Sequence, residues 1–285
     1  MWSLSNVDFN QNSLNPGAVV IDLDGTLLDN RSVISERNRM AILKLVNRGI
    51  PVIIATSRSE RSTGSICGPE IRSKCTLVVL NGAIGRAANP LSGSVIETIP
   101  SNIAVDIVNI ILKLDPDIRV TIELDGFLFG ANWDASPELL WQLNSATTDV
   151  ILPFNEALRR NPAKIAARCI SHDLSELSRH ISQKFSGLVN VIPSNQNTFL
   201  NIVSSRASKS ATVNRLLKSK NIEMQKVIAF GDDMPDYDLL CACGYPVAMA
   251  NAVPEIKAIC RYQTLSNDED GVGIFLEKLM ENNSG

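Results

Sequence analysis

The order of apolar runs and helical patterns predicts an α/β protein with a parallel sheet, into which a region of α+β character is inserted. Short β-branched apolar runs alternate with helical patterns over residues 1–83, which is typical of a parallel sheet covered by helices. The pair Asp125-Gly126, a common hairpin turn, interrupts this alternation in the middle of the chain. The alternation then resumes over residues 205–285.

The first part of the chain predicts three strands separated by two helices. The apolar run at 18–21 ends in turn residues and is typical of a buried parallel strand. A helical pattern follows over residues 35–49, with Ser35 as its candidate N-cap. Two further apolar runs, at 51–55 and 76–80, predict the second and third strands.

The middle of the chain predicts hairpins and helices that do not continue the parallel pattern. The predicted elements are strands at 119–124, 127–129, 164–170 and 199–203 and helices at 137–144 and 174–185. Because hairpins pair strands antiparallel, we predict a separate inserted domain over residues 84–204. Residues 1–83 and 205–285 then form one α/β domain, whose later elements are helices at 208–220, 236–242, 255–260 and 273–280 and strands at 226–230 and 246–249.

Composition excludes several classes of partner. The 285 residues suggest about two domains. The 27 basic and 30 acidic residues give a net charge of −3, and only 5% of residues are aromatic, so we expect no nucleic-acid partner. No apolar run is long enough for a membrane span, and residues 1–17 lack a signal pattern. Without a C-x-x-C pair among six cysteines, we expect a soluble, cytoplasmic protein without a membrane partner. The oligomeric state is not predicted.

Several catalytic motifs are missing from the sequence. There is no G-x-S-x-G elbow, no G-x-x-x-x-G-K-[ST] loop and no cysteine followed six positions later by arginine. The two histidines, His172 and His180, are interpreted as exposed helix residues, and Cys241 and Cys243 as small packing residues. Histidine-based and cysteine-based hydrolysis are therefore disfavoured.

Polar residues follow three of the predicted strands, at the edge where parallel sheets bind ligands. They are Asp22 and Asp24, then Thr56, then Asp232, Asp233 and Asp236. Carboxylates that converge in this way repel one another, and a bound cation removes the repulsion. Oxygen ligands without an available histidine favour Mg²⁺ over zinc.

Four motifs in order resemble those of the haloacid dehalogenase (HAD) superfamily. They are DLDGTL at 22–27, Thr56, Lys209 at the start of a helix, and GDDMPD at 231–236. The segments NGA at 81–83, AMANA at 248–252 and SNDEDG at 266–271 further resemble its Cof-type branch. The resemblance implies a Rossmann-like parallel sheet core with helices on both faces and an inserted class II α+β cap.

The resemblance also implies roles for the motif residues. Asp22 is the nucleophile that forms an aspartyl-phosphate, and Asp24 is first the general acid and then the base. Thr56 binds a phosphate oxygen, and Lys209 supplies a fixed positive charge. Asp232 binds Mg²⁺ with Asp22 and the Asp24 carbonyl, aided by Asp236 and Asp233. The implied substrate contacts also include Gly25, Ser57, Arg58, Asn81 and Asn251.

Ordinary structural roles compete with these assignments. Thr56, Asp233 and Asp236 are possible helix caps or helix-terminal charges, and Lys209 is a possible solvated lysine. Glu123-Leu124-Asp125-Gly126 imitates the first motif and is interpreted as a hairpin turn. The chain also departs from the family at Ser57, Pro235 and Asn201, where glycine, asparagine and glutamate are usual.

The motif set predicts a Mg²⁺-dependent phosphatase that acts on a small phosphorylated metabolite. A phosphomutase is an alternative that needs cations in the cap, for which Arg159, Arg160, Lys164 and Arg168 are candidates, although a solvated basic face is the favoured interpretation of these residues. A second alternative is a binding protein that keeps the fold without catalysis. The intact pair Asp22 and Asp24 favours catalysis.

Overall fold

The structure, a computed structural model, describes residues 14–134 and 136–282. Of the segment 1–17 that we expected to lack a signal pattern, residues 1–13 lie outside the described residues. Among the described residues, no helix is both long enough and apolar enough to cross a membrane.

The described chain forms two sheets. The strands are β1 (Ala18–Ile21), β2 (Val52–Ala55), β3 (Thr76–Val79), β4 (Ile84–Arg86), β5 (Ser94–Ile96), β6 (Arg119–Glu123), β7 (Phe129–Ala131), β8 (Ile151–Leu152), β9 (Lys164–Arg168), β10 (Val189–Ser194), β11 (Phe199–Ser204), β12 (Val227–Gly231), β13 (Tyr245–Ala248) and β14 (Tyr262–Gln263). The larger sheet has the order β14-β13-β12-β1-β2-β3-β4-β5 and the smaller one β10-β11-β9-β6-β7-β8. The larger sheet is parallel from β14 to β3 and antiparallel at β4 and β5.

Ten helices accompany the sheets in the described residues. They are α1 (Glu36–Asn47), α2 (Glu60–Lys74), α3 (Ser101–Leu114), α4 (Pro137–Asn144), α5 (Phe154–Arg159), α6 (Ser175–Lys184), α7 (Lys209–Leu217), α8 (Tyr237–Ala242), α9 (Pro254–Ile259) and α10 (Gly271–Asn282). Ser35 caps α1, as predicted, because its side chain accepts the Asn38 N–H.

The predicted fold class is confirmed: a parallel sheet covered by helices on both faces carries an α+β insertion. Strands β1, β2, β3 and β12 are buried throughout, which matches their unbroken apolar sequences. Helix α1 packs against α10, and α7 packs against α8 and the edge strands. The carboxyl ends of the buried strands therefore meet at one edge of the sheet.

The smaller sheet has a hydrophobic core of its own. Ile107 and Ile111 of α3 pack there with Ile165 of β9 and Ile202 of β11. The sequence interpretation missed α3, although its apolar residues recur with helical spacing. Strands β4 and β5 fall within the predicted insertion, residues 84–204, but they pair with the larger sheet. We therefore propose residues 97–204 as the cap.

The predicted turn at Asp125-Gly126 docks the cap on the core domain, which is the described chain outside residues 97–204. The Asp125 carboxylate accepts the backbone N–H groups of Phe127 and Leu128, which closes the turn between β6 and β7. In the preceding strand, Glu123 forms two hydrogen bonds of 2.8 and 2.9 Å with Arg61 of α2. Both side chains are buried, so this ion pair ties the cap hairpin to the larger domain.

Two minor predictions, one on the histidines and one on the cysteines, have mixed outcomes. His180 is an exposed residue of α6, but His172 lies in the turn before that helix, beside Asp115 and Cys169. Cys243 is buried as predicted, whereas Cys241 is exposed.

Candidate active site

Three of the predicted metal ligands form one cluster, in which Asp22 and Asp236 are buried and Asp232 is half-buried. Asp22 follows β1, and Asp232 and Asp236 follow its neighbour β12. One carboxylate oxygen from each residue lies within 4.8 Å of the others. The two strands are parallel neighbours, so their carboxyl ends deliver these side chains to the same place.

Lys209 is part of this cluster and not a solvated lysine. It is the first residue of α7, where the Ser208 side chain caps the helix by accepting the Ala211 N–H. Its Nζ lies 2.6 Å from Asp22 Oδ1 and 2.6 Å from Asp236 Oδ1. Its side chain is only 2% exposed.

The electrostatics of the cluster leave negative charge uncompensated. Burial raises the pKa of Asp22, and repulsion from Asp236 raises it further. Burial also raises the pKa of Asp232, with Asp236 again contributing. Burial alone would lower the pKa of Lys209, but attraction to Asp22 and Asp236 outweighs it and raises that pKa. One ammonium thus faces three carboxylates, which is a suitable place for a further cation.

The loop after Asp22 approaches the cluster closely. Gly25 has a φ of 75°, and a Cβ placed there would lie 2.2 Å from Asp232 Oδ2. Thr26 Oγ1 donates a hydrogen bond of 2.7 Å to Asp232 Oδ1. Asn251 Nδ2 donates to the Gly25 carbonyl at 2.7 Å. Gly25 and Asn251, both predicted to contact substrate, therefore shape the loop beside the carboxylates.

Gly25→Ala should remove activity through this close approach. We expect the positive φ to cost about 1–2 kcal/mol of unfolding free energy, and the Cβ also displaces Asp232. Gly49→Ala is the matched control, because Gly49 has a φ of 78° but nothing within 4 Å of its Cβ position. Urea unfolding should show a backbone penalty in both variants, while catalytic activity should fall only in Gly25→Ala. Equal activity in the two variants would contradict the role assigned to this contact.

The loop after β2 brings two further predicted residues together. Thr56 is fully buried, and its Oγ1 accepts the Arg58 backbone N–H at 3.1 Å. The Arg58 guanidinium holds both oxygens of Asp24, at 2.6 and 2.8 Å. The hydrogen bond to Asp24 raises the pKa of Arg58. The side chain of Asp24 is 48% exposed, so the predicted acid faces the open side of the site.

Three predicted site residues lie apart from the carboxylate cluster. The carboxylate of Asp233 accepts the Met234 N–H and caps a short turn that contains Pro235, which agrees with its capping interpretation. Asp24 contributes no carboxylate oxygen to the cluster, because its side chain binds Arg58. Asn81 is buried with a φ of 56°, and its side-chain amide has no hydrogen-bond partner in the described residues.

A cavity of about 560 Å³ opens above the cluster, between the core domain and the cap. Lys164 of β9 reaches down from the cap and donates to the Ser57 carbonyl at 2.7 Å and to Asn201 Oδ1 at 3.0 Å. Burial lowers the pKa of Lys164 to about 8. Its partner at position 201 is a neutral amide.

The cap side of the cavity includes residues that the sequence analysis did not propose as site residues. They are Arg119, Thr121, Glu123, Trp133, Ala166 and Phe199. Lys164 and Arg168 also line the cavity, whereas Arg159 and Arg160 do not. Arg160 instead forms a surface ion pair with Glu156. Arg119 and Thr121 could have been identified from the alternation of residues in the predicted hairpin strand, since every second residue of a strand lies on the same face.

Comparison with known proteins agrees with this architecture. The family model of haloacid dehalogenase-like hydrolases matches residues 19–276. The chain is 26% identical to 5-amino-6-(5-phospho-D-ribitylamino)uracil phosphatase YwtE of Bacillus subtilis, over 92% of this chain and 97% of that protein. It is 27% identical to Phosphatase YwpJ of the same organism, over 92% of this chain and 99% of that protein. The crystal structure of TM0651 from Thermotoga maritima superposes with a TM-score of 0.76 at 27% identity, over 93% of this chain and 97% of that one.

The fold and the site thus define a class of protein, namely an α/β enzyme with carboxylates at the edge of its sheet beneath an α+β cap. The chain belongs to the haloacid dehalogenase-like hydrolases. The resemblance drawn from its motifs is confirmed, as is the prediction of a phosphatase of that superfamily.

Proposed function

We propose that the chain is a Mg²⁺-dependent phosphomonoester hydrolase, which acts on a small phosphorylated metabolite through an aspartyl-phosphate at Asp22. The observation that carries the proposal is the buried cluster of Asp22, Lys209, Asp232 and Asp236 beneath a capped cavity. Such a cluster pairs a fixed positive charge with a carboxylate that can reach a bound phosphate.

The donor set fits a magnesium ion. Asp22, Asp232 and Asp236 offer oxygen atoms only, and their burial with a single lysine leaves charge for a cation to balance. We propose that Asp22, Asp232 and the Asp24 carbonyl hold the ion, with Asp236 and Asp233 supporting them. Bound there, Mg²⁺ offsets the charge of the transferring phosphoryl group.

In the proposed first step, a carboxylate oxygen of Asp22 attacks phosphorus. The Asp22–phosphorus bond forms while the ester oxygen–phosphorus bond breaks, and Asp24 gives its proton to the departing oxygen. Lys209 stabilises the charge of the nucleophile and of the phosphoryl oxygens, and the Thr56 hydroxyl donates a hydrogen bond to one phosphoryl oxygen. Arg58 must first leave Asp24, and the arriving phosphate is the anion to which it can turn.

In the proposed second step, Asp24 accepts a proton from a water molecule, which then attacks phosphorus. The bond between phosphorus and Asp22 breaks, and inorganic phosphate leaves with the site restored. The cap contributes by excluding bulk water from the reacting group, because Lys164 and the Arg61–Glu123 pair hold it against the core domain.

Metal removal gives the first test. We expect phosphate release from at least one member of a panel of sugar phosphates and similar metabolites in Mg²⁺, and a loss of that release in EDTA that added Mg²⁺ restores. A colorimetric phosphate assay measures both states, with circular dichroism to verify that the EDTA-treated protein is folded. Release that is equal with and without EDTA would contradict the proposed metal dependence.

The chemistry of the site also limits the partners that we propose. A cavity of about 560 Å³ suits a small phosphorylated metabolite, and the relative YwtE is named for such a substrate. We propose a cytoplasmic location without nucleic-acid or membrane partners. The net charge of −3 supports the absence of a nucleic-acid or anionic-membrane partner.

A further inference from the structure

The outer end of the cavity carries two arginines side by side. Arg119 of β6 and Arg168 of β9 are directly opposite each other in the antiparallel pairing of these strands. Both line the cavity, and both belong to the cap. Like charges that face each other across two strands destabilise a sheet, so this arrangement has an energetic cost.

Among the described residues, 14–134 and 136–282, neither arginine forms an ion pair with a carboxylate. Glu123, the nearest acidic residue along β6 that lines the cavity, is already held by Arg61. Arg119 lies against an aromatic ring instead, with its guanidinium carbon 5.6 Å from the Trp133 ring centre.

Aromatic side chains flank the two arginines. Phe199 of β11 is opposite Arg168 on its other side, so Phe199, Arg168 and Arg119 lie at one level across three neighbouring strands. Trp133 continues the row beside Arg119. All four residues line the cavity. A ligand group at this level would meet positive charge between two apolar surfaces.

This level is far from the reacting end of the cavity. Lys164 is four residues before Arg168 on β9, and its Nζ touches the Ser57 carbonyl in the loop of the proposed phosphate contacts. At about 3.3 Å per residue, the two levels are roughly 13 Å apart along the strand. The intervening level, with Thr121 and Ala166 opposite each other, is uncharged.

We propose that Arg119 and Arg168 form a second anion subsite, and that the substrate is a phosphomonoester with a carboxylate or second phosphate roughly 10–15 Å from the reacting phosphorus. This inference rests on the proposed function, because it assigns the two ends of one substrate. The anionic group of the substrate offsets the repulsion between the arginines, and Trp133 and Phe199 contact the apolar atoms next to it.

The test compares phosphate esters that differ only at the far end. The probes are phosphorylated ω-hydroxydecanoate, its primary amide, and phosphorylated γ-hydroxybutyrate, whose carboxylate is too close to the phosphate to span the cavity. Para-nitrophenyl phosphate reports the reacting end alone. We expect a kcat/KM for the long acid about tenfold or more above that for the amide, since charged hydrogen bonds to arginine are lost in the amide. The bisphosphate of decanediol shows whether a second phosphate is preferred to a carboxylate.

The variants assign that preference to the two arginines. In the double variant Arg119→Gln with Arg168→Gln, we expect the acid-to-amide ratio to fall to about one. Arg179→Gln, which removes an exposed arginine of α6 outside the cavity, is the matched control and should keep the ratio. A wild-type ratio near one, or a ratio that survives in the double variant, overturns the subsite.

A separate readout distinguishes failure of the subsite from failure of the proposed function. Asp22-dependent hydrolysis of para-nitrophenyl phosphate tests the proposed function by itself. If no ester is hydrolysed, the proposed function fails, and calorimetric Kd values for the acid and the amide then measure the same ratio in wild type and double variant. Equal Kd values for acid and amide overturn the subsite.

Discussion

Asp22→Asn should lower phosphate release by about 10⁴-fold or more, because it replaces the only carboxylate proposed to bond to phosphorus with an amide. The amide keeps the shape of the side chain but is not a nucleophile at neutral pH. The folded protein should remain intact. Burial raises the pKa of Asp22 above its value in the unfolded chain, so ionised Asp22 costs folding free energy and stability falls as the pH rises through that pKa.

A stability measurement on Asp22→Asn therefore shows whether its loss of activity comes from the missing nucleophile or from unfolding. At neutral pH we expect the metal-free variant to unfold at a urea concentration no lower than that of the metal-free wild type. Asp106→Asn is the matched control, since Asp106 is an exposed residue of α3 and lies outside the cavity. Its kcat should stay within about tenfold of wild type. An active Asp22→Asn variant would remove the nucleophile from the proposed mechanism.

Lys209→Met should lower kcat by about 10²–10³-fold, which is the usual effect of losing one charged or donor group from a transition-state site. It should also reduce the unfolding free energy at neutral pH by about 3–5 kcal/mol, the cost of removing one partner from a buried ion pair. Without the ammonium, the pKa of Asp22 rises further. The stability deficit of the variant should therefore grow as the pH rises through that pKa and shrink in acid.

Lys218→Met is the control for this variant, because Lys218 is exposed immediately after α7. Its activity and stability should match wild type at every pH. Urea unfolding at several pH values and kcat at saturating substrate measure the two effects. A Lys209→Met variant with unchanged kcat would show that Lys209 only balances charge in the folded protein.

The sequence was sufficient to predict the core fold and the residues at its edge. Three of the buried strands, β1, β2 and β12, are apolar runs followed at once by a polar motif residue, as with Asp22 after β1 and Thr56 after β2. Local order along the chain then decides the topology, because parallel strands bring their carboxyl ends together. The ordered motifs added the partner from α7, Lys209, which no local pattern connects with Asp22.

The cap was harder to predict because its contacts join residues that are distant in sequence. The predicted boundary at residue 84 places β4 and β5 in the insertion, whereas both strands pair with the larger sheet, since hairpin pairing alone does not say which sheet a strand extends. Arg159 and Arg160 looked equivalent to Lys164 and Arg168 in the sequence. They differ because α5 and its end face away from the cavity, whereas alternate residues of β9 face into it.

Detection of a phosphorylated Asp22 tests the central claim most directly. The enzyme is quenched in acid during turnover of its best substrate in Mg²⁺, reduced with borohydride, digested and analysed by mass spectrometry. An aspartyl-phosphate is reduced to homoserine, so the proposed mechanism predicts homoserine at position 22 in wild type and none when substrate is omitted. Rapid turnover with unmodified Asp22, or with homoserine at another aspartate, would contradict it.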